Sequence, residues 1–109
     1  MALVVFTWDL PPGERVAVYN ETVRTAWVPS VLQQPGVTAV RGYRNPHHMT
    51  PQVMVHLECD SLASCQRFLA SERYGELVFE LRALGCTNLA LHVWDASPLV
   101  PEPVTPPGG

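Results

Sequence analysis

The chain contains no lysine. Its seven basic residues are all arginines, set against ten Asp plus Glu in 109 residues. The resulting net charge of −3 and a pI near 5.7 exclude the basic stripe by which a nucleic-acid surface is known. Charge of either sign is scarce: 16% of residues are charged, where an ordinary soluble domain carries about 25%. So little solvating surface suggests apolar surface hidden in a partner. Cysteines number three, Cys59, Cys65 and Cys86, an odd count without a CxxC spacing, which implies neither a closed disulfide set nor a zinc knuckle. They read as buried, reduced thiols, which fits a cytoplasmic location. No window approaches the roughly 18 consecutive apolar residues of a membrane helix, and "MALVVFTWDLPP" has no basic leader region. A soluble, intracellular protein with no membrane association is expected.

What is present is enough for one domain. "ALVVFTW" is a strand with apolar residues in both alternating sets, bounded by the turn-forming "DLPPG" and so wanting cover on both faces. From Glu14 the period becomes helical, with Val16, Tyr19, Val23 and Trp27 on one stripe. Pro29 should break or kink that helix near Trp27, leaving "PSVLQQ" as a separate short turn. "VTAVRGYR" forms the second strand and ends in the loop "NPHHMTP"; "VMVHLEC" forms the third. Asp60 or Ser61 caps the next helix, Ser71 marks a bend or second cap, and Gly85 a stop. "TNLALHVWD" is the fourth strand. Residues 97–109, with five prolines in thirteen, read as a Pro-rich extended or disordered tail to a domain over 1–96.

The order β-α-β-β-α-β is the ferredoxin-like α+β plan, a four-stranded antiparallel sheet with two helices on one face. Two helices cover one side of a sheet. Yet both alternating sets are apolar: Leu3, Val5, Val53, Val55, Leu57, Leu89, Leu91 and Val93 in one, and Val4, Phe6, Trp8, Met54, Ala90 and Trp94 in the other. The second face is therefore expected to meet another sheet, most simply in a two-fold homodimer.

With that element order, "VPSVLQQPGVTAVRGYR" and "VHLECDSLASCQRFLASERYGELV" make residues 1–96 resemble the dimeric α/β-barrel superfamily, which includes the antibiotic biosynthesis monooxygenase-like and EthD-like families. The resemblance implies two sheets closing into a barrel across a dimer, with ligand pockets between each sheet and its helices. It also implies a choice among cofactor-free oxygenases, isomerases, cyclases, haem-degrading enzymes and members without a known reaction. EthD-like chains often carry a His before the proline of the first helix, where this sequence has Trp27 in "AWVPS". Haem-degrading relatives need an axial His on a helix, and neither 14–34 nor 61–85 contains one. A metal chaperone would need a CxxC after the first strand, and an RNA-recognition domain basic and aromatic residues on its central strands; neither is there.

The candidate catalytic residues are His56 and His92, each inside a strand, with Arg41 as charge stabiliser. If alternation holds, both histidines share a set with Phe6, Trp8, Met54 and Trp94 and line a pocket against the helices, while the aliphatic set faces the partner. An imidazole there could take a proton from a phenolic or enolic substrate, and Arg41 or Arg44 could stabilise the resulting anion. Against this stands the plainer reading of satisfied strand histidines and edge-strand arginines. Trp8, Tyr19, Trp27 and Trp94 are the candidate substrate-binding walls. His47 and His48 lack a third ligand at metal spacing, so no metal site is expected. The function expected is a small-molecule enzyme or binding protein acting without a cofactor on an aromatic or polyketide-like compound. The alternative is a noncatalytic dimeric module.

Overall fold

A computed structural model describes residues 1–108. Strands β1 (Ala2–Asp9), β2 (Val37–Arg44), β3 (Val53–Cys59) and β4 (Thr87–Asp95) form one antiparallel sheet in the order β2-β3-β1-β4. Helices α1 (Val16–Thr22) and α2 (Val28–Leu32) follow β1, and α3 (Leu62–Leu69) and α4 (Glu72–Leu84) follow β3. This is the ferredoxin-like α+β fold that the sequence predicts.

Local chemistry explains the breaks. Ser61 Oγ accepts from the Ser64 N–H at 3.1 Å and starts α3; Ser71 Oγ accepts from the Tyr74 N–H at 3.2 Å and starts α4, each a side-chain cap for an otherwise unpaired donor. Gly85 ends α4 at φ +100°, and a Cβ there would stand 2.8 Å from Pro12 Cδ, so only glycine suits the position.

Pro29 does not end the first helix. Residues 16–32 are helical throughout, with a π-turn over Val23–Trp27 in which the Val28 N–H reaches back five residues to the Val23 carbonyl. Pro29 then falls just past the π-turn, in the first turn of α2, so the widened turn lies immediately ahead of a residue that has no N–H to give. Thr22 and Thr25 hydroxyls donate to the Val18 and Glu21 carbonyls at 2.8 and 2.7 Å, contacts that favour bending just there.

The register sorts the sheet into two faces. Val4 pairs with Leu57 and Val93, Phe6 with Val55 and Leu91, and Trp8 with Val53. Directly paired residues share a face, and this face carries the core under the helices, with Val4, Leu57, Cys59, Cys65 and Phe68 buried together. The open face is a grid of three cross-strand rows: Tyr43, Met54, Thr7, Ala90; then Arg41, His56, Val5, His92; then Ala39, Glu58, Leu3, Trp94.

This corrects the grouping that alternation suggests. Val53, Val55, Leu57, Leu89, Leu91 and Val93 face the helices with Phe6 and Trp8, while His56, His92, Arg41 and Trp94 lie on the opposite, open face. Alternation fixes which residues of one strand share a side. Which side of the sheet each strand's set takes depends on inter-strand register.

The face assignment makes a paired prediction. Leu57 is 1% exposed under the helices, so Leu57→Ala should cost about 2–5 kcal/mol in urea unfolding. His56→Ala, one residue away on the open face, should cost under about 1 kcal/mol. The reverse order would invert the faces.

Candidate functional site

The π-turn is what builds the site. Two ordinary helical turns span about seven residues, and widening one of them by about a residue makes it eight. Tyr19 and Trp27, eight apart, therefore return to the same side of the helix. Their rings meet edge-on with centroids 5.9 Å apart, and both side chains are buried against the sheet.

Between them and the sheet lies a cavity of about 270 Å³, just under the roughly 300 Å³ at which small-molecule sites usually begin. Val53, Val55 and Leu57 of β3 and Phe6 and Trp8 of β1 form its sheet side; Tyr74, Leu77 and Leu81 of α4 close it opposite. Its lining is overwhelmingly apolar. The described lining residues include no histidine and no carboxylate, and Arg44 is the charged one.

Two polar anchors hold the aromatic walls. Trp8 Nε1 donates to the Tyr19 hydroxyl at 2.9 Å, tying β1 to α1. Trp27 Nε1 donates to Glu80 Oε2 at 2.5 Å, and Glu80 lies 3.6 Å from Arg73, which also donates to Ser30 Oγ at 2.9 Å. Tyr19 Oη accepts from Trp8 but, among the described residues, gives its own proton to no protein acceptor. Burial pushes the Tyr19 phenol above its ordinary value, opposed by the Trp8 bond and by the Arg44 charge. It is therefore neutral near pH 7, a donor with its proton unspent. At the edge of the lining, the Arg44 guanidinium stands 5.9 Å from the Tyr19 ring centre and donates to Asn20 Oδ1 at 3.3 Å.

The candidate residues thus divide. Trp8, Tyr19 and Trp27 come together around the cavity. Arg41, His56 and His92 also come together, in one row of the open face, with Tyr43 against His56 at 4.9 Å between ring centres and Trp94 6.4 Å from His92. A sheet's thickness separates the two groups, so the expectation that His56, His92 and Trp94 line the helix-side pocket is not met, and Arg41 lies with them on the open face. His47 and His48 are exposed in the β2–β3 loop, and the described residues bring no three metal-ligating side chains together. Asn20 and Glu80 are additions that the sequence pattern did not flag. Asn20 sits one position off the inward stripe of α1, and Glu80 meets Trp27 from 53 residues away.

No protein-family model matches the sequence, and no curated protein does. Solved structures do. A candidate antibiotic biosynthesis monooxygenase from Deinococcus radiodurans superposes with a TM-score of 0.77 at 16% identity, covering 99% of this chain and 100% of that one. An ethyl tert-butyl ether degradation (EthD) family protein from Bacillus halodurans gives 0.62 at 14% identity over 84% and 96%. A further antibiotic biosynthesis monooxygenase gives 0.66 at 21% over 90% and 100%. These likenesses show a shared fold, the ferredoxin-like α+β arrangement of a four-stranded antiparallel sheet with its helices on one face.

The raised Tyr19 pKa has a signed consequence. The unfolded phenol releases its proton near pH 10 while the folded one retains it, so folding stability should fall as pH rises through that window. The ultraviolet phenolate signal of Tyr19, taken as wild type minus Tyr19→Phe, should emerge above pH 10.0. A midpoint below it would contradict the buried neutral phenol.

Proposed function

We propose that this chain, with the subunit fold of the dimeric α/β barrels, binds a flat, largely apolar compound of the aromatic or polyketide class in the cavity under its helices. One observation carries the reading: an apolar cavity bounded by Trp8, Tyr19 and Trp27 whose buried phenol has a proton to give. A carbonyl or phenolic oxygen on the ligand is the matching acceptor. Where such a compound reacts, the same bond strengthens as charge develops on that oxygen, which is how a preorganised donor lowers a barrier. Monooxygenation, isomerisation and cyclisation of such compounds all pass through enolate-like anions, and the neighbours' descriptions as antibiotic biosynthesis monooxygenases support this class.

The cavity lining supplies a donor and no base. A reaction here therefore suits a substrate acidic enough to reach its anion unaided. The same feature favours the second reading, a noncatalytic ligand-binding protein. The three free cysteines support a reducing, cytoplasmic setting, and among the described residues no helix is long and apolar enough to cross a membrane.

The open face is proposed to meet a second copy of the chain. Leu3, Val5, Met54 and Trp94 are spread across it, and Trp94 is 59% exposed, unusual for the residue with the most apolar area to hide. Arg41, His56 and His92 would then lie between the two sheets.

Two measurements test these readings. Calorimetric titration with 2-naphthol should show binding that Tyr19→Phe weakens about 3- to 10-fold, the worth of one hydrogen bond; no binding by the wild type, or none lost in the variant, would sink the cavity reading. Sedimentation at micromolar concentration should give a dimer, and Val5→Asp, which puts a charge at the middle of the open face, should give a folded monomer. A monomeric wild type would remove the dimer proposal and leave the cavity reading standing.

A further inference from the structure

Resting on the cavity reading above, we propose that the ligand is an aromatic acid, and that Arg44 with Asn20 at the edge of the cavity selects it by holding its carboxylate. The lining is apolar apart from a few positions, and the one charge among its described residues is a cation. Arg44 reaches the helix side because the Val53 pairing puts it on that face of β2, the edge strand. There its guanidinium lies beside the Tyr19 ring and donates to Asn20 Oδ1 at 3.3 Å.

That arrangement leaves binding capacity. The guanidinium has five N–H donors in a fixed fork, and among the described residues no carboxylate forms an ion pair with Arg44; the ion pairs are Arg24 with Glu21, and Arg73 with Glu76 and Glu80. The 3.3 Å bond to Asn20 is long for an N–H···O contact, and it uses the Asn20 oxygen, leaving the amide N–H groups for an incoming anion. Nor is Arg44 one member of a general basic surface, since the chain carries −3 overall. A cation kept at the edge of an apolar cavity is matched by a ligand that is apolar for most of its length and anionic at one end. With the Tyr19 hydroxyl as the second polar point, the complementary molecule is a ring system carrying a hydroxyl or carbonyl oxygen and, away from it, a carboxylate.

The test compares 6-hydroxy-2-naphthoate with 2-naphthol, its counterpart lacking the acid, by calorimetry on the full chain at low salt and near neutral pH. The acid should bind wild type at least about tenfold tighter, the worth of a charge-assisted contact. Arg44→Ala should abolish that advantage, bringing the acid's affinity down to that of naphthol for the same variant. Arg44→Lys should keep part of it, a point charge replacing a fork, and added salt should shrink it. An acid that binds no tighter than naphthol, or an advantage that survives Arg44→Ala, overturns the inference and leaves the cavity reading intact. If neither compound binds the wild type, the cavity reading fails and this inference fails with it.

Discussion

The position of β1 between β3 and β4 is the constraint on which the rest depends. Every side chain of a strand is committed to one face or the other, and β1 transmits its phase to both neighbours through the paired registers. Once Val4 and Trp8 turn toward the helices, Val53 and Leu57 must follow on β3, and Leu91 and Val93 on β4. The histidines, each one residue out of step with these, are carried to the other side. The chemistry of the two faces is thus set by backbone pairing, before any side-chain interaction is counted.

The division gives the molecule two unlike surfaces. Under the helices, burial is dominated by aromatic and aliphatic groups, and each indole N–H of the aromatic walls is tied to an acceptor: Trp8 to Tyr19, and Trp27 to Glu80. Such pairing is needed because an unmatched indole N–H in apolar surroundings would cost about 1–3 kcal/mol. On the open face, Arg41, Glu58, His56 and His92 are mixed with Leu3, Val5 and Trp94. A surface of that composition is too apolar to be a typical solvated face and too polar to be a core.

Most of the fold was legible in the sequence because its signals are local. Alternation marked the four strands, Ser61 and Ser71 the helix starts, and Gly85 the stop. The candidate site was legible by half. Tyr19 and Trp27 stood out through helical periodicity, and Trp8 through its strand. Alternation alone puts His56 and His92 on the wrong side, because phase between strands is a nonlocal quantity, decided by pairings such as Val5 with both His56 and His92. Pro29 carries a real signal: of the break or kink it announces near Trp27, the structure shows a widened π-turn with a short helix after it, and no stop. Glu80 carried none, since nothing near it in sequence announces a tryptophan 53 positions earlier.

The three tryptophans are distributed by the same division. Trp8 and Trp27 line the cavity, 6% exposed each, while Trp94 stands on the open face at 59%. The two inner indoles are in apolar surroundings, and the outer one faces water. The protein therefore carries its own optical labels: emission from the inner pair lies to the blue and answers to what enters the cavity, and emission from Trp94 lies to the red and answers to what covers the sheet. Events on the two surfaces should therefore disturb opposite edges of one emission band in an unlabelled sample.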